Sequence, residues 1–446
     1  MKSRLNIIKE QLIEFIKYDY NQSKAILVFL SVVFIKTLQT ARLHSKAFDI
    51  ASQIYRTGWK NSDKLGLKIA KYYFMDNPLL GQKIVEIALN NIEVFPNTKK
   101  FIEDPLLMLD GVISVLKRPG ENEKGALIIN YSFYFSLFLK SYDVKSILKK
   151  YNLILEPSWA GLCEINILAY TVFEEPIFLQ VYEQRDKNFI ISLNSNIIPI
   201  DVGPSWFIDH QLFCPLEESP LSQKPIDVIM VAAWAAFKRH RAFFKSIVPL
   251  IKRKPNLKIV LVGYPVDMTK GDIILAASQY GIEKNIEIHE WIKHAEVRDL
   301  LCKSKVNILW SKFEGNNRAI IEGMFCDVPC IMREGHNYGE KYDFINSSTG
   351  CFSTEKNLSK DIESLIGRID DLSPREYVMN NRDCISATQI MSDVIRDKEK
   401  DLGNEWHKDL SIKLNGLHGM TYLVEDSVTF YDCYEYLKTK LKNTSE

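Results

Sequence analysis

What this chain lacks narrows its class before any motif is read. It has no apolar run near the roughly 20 residues that span a bilayer. The longest candidate, Ala25 to Ile35, is short and bounded by Lys24 and Lys36. It reads as a helix buried against neighbouring helices, with contact to a membrane surface as the alternative. The N-terminus shows no cleavable signal. Excess charge of one sign is also missing. Lys plus Arg number 57 against 56 Asp plus Glu, a net charge of +1, so nothing draws the whole chain to nucleic acid. The eight cysteines are scattered; the closest pair, Cys326 and Cys330, has no His beside it. That spacing speaks against zinc and for free thiols in a reducing cytoplasm. No Asp-x-Asp cation motif occurs, and no metal site is expected.

What is present is ordinary globular composition, 46% hydrophobic and 25% charged, over 446 residues. That length suits two or three domains. Residues 1 to about 120 read as helical throughout. Apolar residues recur at three- and four-residue steps in Leu5 to Ile16, Ala25 to Leu43, Ala47 to Tyr55, Leu65 to Phe74 and Gln82 to Ile92. Breaks at Gly58 and Pro78 suggest stacked helical hairpins. The region reads as a cap on the next domain, or as a surface for a protein partner. Arg118 to Gly125, rich in Pro, Gly and charge, reads as a domain boundary.

Beyond it the pattern alternates strands and helices. Ala126 to Tyr131, Leu153 to Leu155, Ile177 to Tyr182, Ile190 to Leu193 and Ile197 to Val202 read as strands of a first α/β domain. This domain lacks the usual Gly-rich first turn. The strand ends offer Glu156, Ser158, Trp159, Tyr182 and Glu183 as candidate acceptor-side residues. A second α/β domain starts with the strand Val228 to Ala232, followed by the basic run Lys238, Arg239, His240, Arg241. Cations between a strand and a helix suit a diphosphate, because helix amides converge there too. Strands Lys258 to Val262 and Ile286 to His289 follow.

The chain is organised around Val306 to Ile331: a buried strand, a polar loop Ser311 to Asn317, then a helix with Ala319, Ile320, Met324 and Phe325 at helical spacing. This order puts the loop at the carboxyl edge of a parallel sheet, where open α/β folds bind ligands. Glu314 lies in the loop and Glu322 in the helix, eight positions on. A mostly helical interval separates them by roughly 10 Å at ~1.5 Å per residue, so the two acids grip different parts of one long ligand.

Ser311, Glu314, Glu322 and Pro329 resemble the donor-binding motif of the retaining family-4 glycosyltransferases, which have the GT-B fold. The resemblance implies that Glu314 lies against the donor sugar and Glu322 on the ribose hydroxyls. It implies donor-phosphate contact by Lys238, and base contacts in the loops holding Gly263 and Glu290 to Lys293, Trp291 among them. Gly315, Asn316 and Asn317 line the same loop. The family Arg five residues before Lys238 is Ala233 here; Arg318, at the start of the motif helix, is the expected replacement. Asp209, Phe213 and Pro215 match the family's domain-closing segment, ahead of a linker at about Pro215 to Pro225. Thr349-Gly350 matches a turn before the last strand.

The expected fold is therefore α/β, GT-B, two Rossmann-like domains facing across a cleft after an all-helical N-terminal domain. The expected limits are 1–123 helical, 124–215 acceptor-side, 216–370 donor, and 371–446 terminal helices packing back on the N-terminal side. The function implied is transfer of a sugar from a nucleotide sugar to a saccharide, a lipid-linked acceptor or another hydroxyl with retention of configuration. The setting implied is cytoplasmic polysaccharide or glycan synthesis, without cofactor or metal. A peripheral membrane or protein partner would engage the helical region. Two other readings stand beside it: a catalytically degenerate glycosyltransferase-like scaffold, and another GT-B enzyme such as an epimerase or phosphorylase.

Overall fold

The computed structural model describes residue 12 and residues 21–92, 98–216, 223–335, 342–416, 419–424 and 427–442. Apart from Leu12, the expected helix Leu5 to Ile16 lies outside the described residues. So do parts of the expected linker at Pro215 to Pro225 and of the turn after Pro329. The chain forms two compact units, Met1–Phe207 with Cys384–Glu446, and Ile208–Asp383.

The first unit opens with helices α1 (Asn21–Thr40), α2 (His44–Arg56), α3 (Ser62–Ala70) and α4 (Pro78–Asn90). Five strands follow in sequential order: β1 (Ile113–Lys117), β2 (Gly125–Asn130), β3 (Tyr151–Glu156), β4 (Ile177–Gln180) and β5 (Ile197–Ile200). β1 runs antiparallel to β2 and the rest are parallel. Three expectations are corrected here. The helical reading to about residue 120 overruns β1, whose five residues are all buried; Arg118 to Gly125 joins two strands of one sheet and is no domain boundary. Ile190 to Leu193 is the end of helix α5 (Gln184–Leu193), closed by Asn194 in the left-handed conformation. A run this short is apolar in either structure, so periodicity alone does not separate the two.

The strand pleat divides the surroundings of this sheet. Leu127, Ile129, Leu153, Leu155, Ile177 and Leu179 share one core with Phe48, Tyr55, Ile69 and Ile84 of the helices. Ala126, Ile128, Ile154 and Phe178 face Ala387, Met391 and Ile395 from near the C-terminus. The N-terminal helices are therefore one layer of the first α/β unit.

The second unit holds six parallel strands: β6 (Ile226–Val231), β7 (Ile259–Gly263), β8 (Ile286–Glu290), β9 (Ser304–Leu309), β10 (Cys330–Arg333) and β11 (Gly350–Ser353). Their order is β8-β7-β6-β9-β10-β11. The chain winds outward from β6 to β8, then restarts beside β6 and winds the other way. That reversal between β6 and β9 is a topological switch point, where loops diverge and leave a crevice. The first sheet has the parallel β-α repeat without this reversal. Helices α6 (His240–Arg253), α7 (His294–Cys302) and α8 (Arg318–Phe325) flank the second sheet.

After the second unit, α9 (Cys384–Asp401) returns to the first sheet, and the hairpin β12 (Lys413–Asn415) and β13 (Met420–Tyr422) follows.

Candidate active site

The loops leaving β6 and β9 meet at the switch point. The Lys312 N–H donates to the Phe237 carbonyl (2.8 Å), and the rings of Phe237 and Phe313 stack at 4.6 Å. This zipper carries Lys238 to Glu314, where the ammonium donates to Oε1 in an ion pair whose side chains are only 11% and 8% exposed. Two charges so far out of water persist only as partners.

Helix α8 is fixed at both ends. Asn317 caps it, its side-chain oxygen accepting from the Ile320 N–H at 3.1 Å. At the other end the Val328 N–H reaches the Gly323 carbonyl and the Asp327 N–H reaches Met324, a Schellman closure with Asp327 at φ 58°. That left-handed region favours Gly, and Asp is among the few other residues that visit it. On the sheet side, buried Asn307 of β9 donates to the Ala319 carbonyl, and its amide lies 2.6 Å from where a Cβ on Gly323 would sit. The helix thus rests directly on the sheet and holds Glu322 buried, with Arg318 one turn earlier at 3.4 Å.

The expected base-side residues also collect at the carboxyl edge. Gly263 ends β7, and a Cβ there would fall 2.3 Å from the Ala232 carbonyl oxygen. Trp291, just after β8, takes a left-handed φ of 54° and donates its N–H to the Gly263 carbonyl. Its ring is 69% exposed and stacks on Tyr264 at 4.9 Å. Gly315 accepts the Tyr342 hydroxyl at 2.8 Å. Asn317 is occupied as a cap, and Asn316 lies in the loop before it.

Several features of this edge were missed in the sequence. Lys312 is a second buried lysine in the β9 loop. His240 is buried beside Lys238, and burial and then that cation hold its pKa down at about 3. Neither ring nitrogen of His240 has a hydrogen-bond partner among the described residues, nor do the Trp234 and Trp310 indole nitrogens or the Ser311 hydroxyl. Such orphans are uncommon in folded interiors, and these sit on or beside the two switch-point loops. Arg239 pairs with Glu355 at 2.5 Å. Among the described residues no group of three His, Cys, Asp or Glu could hold a metal ion.

The acceptor-side candidates are a different matter. Glu156 is fully buried; its carboxylate lies 2.7 Å from Lys413 Nζ and accepts from Asn415 Nδ2 at 2.9 Å. It joins β3 to the C-terminal hairpin and is not open to a substrate. Ser158 and Ser132 exchange hydroxyl and backbone N–H bonds, both 3.1 Å, which ties the segment after β3 to the one after β2. Glu183 is buried, 3.4 Å from Arg185. Ser158 is nonetheless exposed, as is Trp159 at 39%, with the Arg56 guanidinium 4.6 Å over the indole ring and the indole N–H donating to Glu164. Burial holds that carboxyl above the usual range, though Arg56 opposes this.

Residues 225–368 match the family model described as Glycosyl transferases group 1, a span from β6 through the helix Leu358–Gly367. No curated protein matches the chain. Among solved structures, HepE of Anabaena in complex with UDP is similar at 12% identity and a TM-score of 0.47, over 72% of this chain and 82% of that one. Sucrose-phosphate synthase from Thermosynechococcus elongatus follows at 14% and 0.46, over 62% and 74%. TarM, an S. aureus protein, is similar at 12% and 0.47, over 61% of this chain and 54% of its own. With two α/β units, the first on a mainly parallel sheet and the second on a wholly parallel one, and helices ahead of the first, the chain has the GT-B fold class expected of it, and residues 225–368 of its second unit are similar to the group 1 glycosyl transferases.

Proposed function

We propose that the protein transfers a sugar from a nucleotide-sugar donor to a hydroxyl acceptor with retention of configuration, the donor bound at the carboxyl edge of the second sheet. The observation that carries this reading is the buried Lys238–Glu314 pair at the switch point, one loop away from Glu322 on a helix capped at both ends. A diphosphate entering there would take the ammonium as its counter-charge and release Glu314 to accept sugar hydroxyls. Glu322 would accept from the ribose. Arg318, on the first turn of α8, would supply the second cation, aided by amides that already favour an anion. As the C1–oxygen bond to the diphosphate breaks, negative charge grows on the leaving oxygen. Cations fixed beforehand stabilise it without reorganising. The acceptor oxygen then bonds C1 on the same face, and its proton leaves with the diphosphate. No cofactor or metal is needed by this scheme. We assign the acceptor to the carboxyl edge of the first sheet, with Trp159 as its exposed contact, and the role to polysaccharide or glycan synthesis.

Incubation with a panel of nucleotide sugars tests the reading, with phosphorus and proton NMR following released diphosphate and product anomer. Turnover of at least one donor with its anomeric configuration kept is expected. A scaffold without catalysis is the second reading, favoured by Ala233 in place of the family Arg. Nucleotide binding without turnover of any donor would select it.

A further inference from the structure

Helix α1 contradicts the burial expected of Ala25 to Ile35. Only Val28 and Ile35 in that stretch are buried, with Leu38 just beyond it. Ile26, Phe29, Leu30, Val33 and Phe34 are instead 50–67% exposed. Their spacing of three, four, seven and eight residues places them on one face. The usual helix on a protein surface turns this kind of stripe inward. Here the stripe toward α2 is the narrower one, and a broad face of large side chains meets solvent. Such a face marks an interaction site.

The charge around it says what kind. From Asn21 to Phe48 the sequence has no Asp or Glu, while it carries Lys24, Lys36, Arg42 and Lys46. This stretch therefore holds +4 of a chain whose net charge is +1, leaving −3 for everything else (1 − 4 = −3). Lys36, Arg42 and Lys46 are exposed. Exposed apolar side chains on one helix face, in a stretch of sequence that carries cations and no acids, fit the boundary between acyl chains and anionic headgroups. At 20 residues α1 is about 30 Å long, yet no helix among the described residues is long and apolar enough to cross a membrane. We propose that α1 lies in the plane of an anionic bilayer, its Ile26–Phe34 face sunk to the acyl boundary and Lys36, Arg42 and Lys46 at the headgroups. The N-terminal layer of the first unit is then a membrane-docking surface.

Flotation of the full chain tests this, using vesicles of phosphatidylcholine alone or mixed with phosphatidylglycerol. The wild type should float with the mixed vesicles and little with the neutral ones, and added salt should weaken binding. Phe29→Ser with Val33→Ser should lower the bound fraction about tenfold or more, and Lys36→Glu with Lys46→Glu should remove the preference for anionic lipid. All four side chains are exposed, so circular dichroism and the melting temperature should not move. The proposal is overturned if the wild type stays with the soluble fraction, or if the serine variant floats as well as the wild type. It also fails if sedimentation shows a wild-type dimer that the serine variant dissociates while neither binds lipid, since the face then belongs to a second copy.

Discussion

Removal of Lys238 should unbalance the second unit as well as stop transfer, and the two effects are separable. Lys238→Met keeps the apolar stem and deletes the charge, leaving Glu314 with 8% side-chain exposure and no counter-ion. Breaking a buried pair from one side costs about 3–5 kcal/mol, most of it the strain of an uncompensated charge. Glu314→Gln should cost somewhat less, because the longer lysine reaches water more easily. In Lys238→Met with Glu314→Gln neither charge remains, and much of the loss should return, a coupling of about 2–3 kcal/mol. Urea melts followed by tryptophan fluorescence read this directly, since Trp234 and Trp310 are fully buried in the same unit. Sugar transfer should stay down about 10²-fold or more in all three, because the cation facing the leaving group is absent or the sugar contact is. If Lys238→Met melts at the wild-type urea concentration, or the double variant loses the sum of the singles, the pair is not the coupled unit argued here.

Four further outcomes are expected. Glu322→Gln should weaken donor binding by about 1.5–3 kcal/mol with the fold intact; unchanged affinity in calorimetry would remove the ribose role. Arg318→Ala should cost transfer about 10²-fold and Arg318→Lys recover part of it; if Arg318→Ala is near wild type and Lys312→Ala is inactive, the second cation is Lys312. Glu156→Ala should destabilise the first unit by about 3–5 kcal/mol by stranding Lys413, with Glu156→Ala plus Lys413→Met recovering much of it in thermal melts; a stable Glu156→Ala that merely loses acceptor turnover would restore the substrate role. His240 has a folded pKa of about 3 against an ordinary 6.5, so its protonation favours the unfolded chain. Stability present above pH ~6.5 should therefore fall by about 1.4 kcal/mol per pH unit down toward ~3. His240→Leu should flatten that slope in urea melts at pH 7 and 5, and an unaltered slope would place the acid sensitivity elsewhere.

The meeting of the two switch-point loops in the second unit was legible because its signals are local. A buried strand, a small-residue loop, an Asn cap and a helix stripe fall within Val306 to Ile331, so spacing alone puts Glu314 and Glu322 at one sheet edge. Glu156 defeats the same logic. Its partner Lys413 comes after more than half the chain has passed, and a strand-end carboxylate looks alike whether it meets solvent or a buried lysine. The short hairpin that carries Lys413 offers no periodicity to find. Helix α1 shows a second kind of failure. Apolar side chains at helical steps say that a face leaves water, and not whether protein or lipid receives it.

The interrupted course of the first unit has a consequence for synthesis. Its chain breaks off at Phe207 and resumes at Cys384, and α9, which covers Ile128, Ile154 and Phe178, lies in the resumed part. During translation those side chains leave the ribosome with nothing from α9 to cover them until another 210 to 270 or so residues have followed, about 10–50 s at ~5–20 residues per second. The second unit is continuous and can close within that interval. A nascent chain stalled just before Cys384 should therefore present one finished domain beside one open apolar sheet face, a ready client for chaperones.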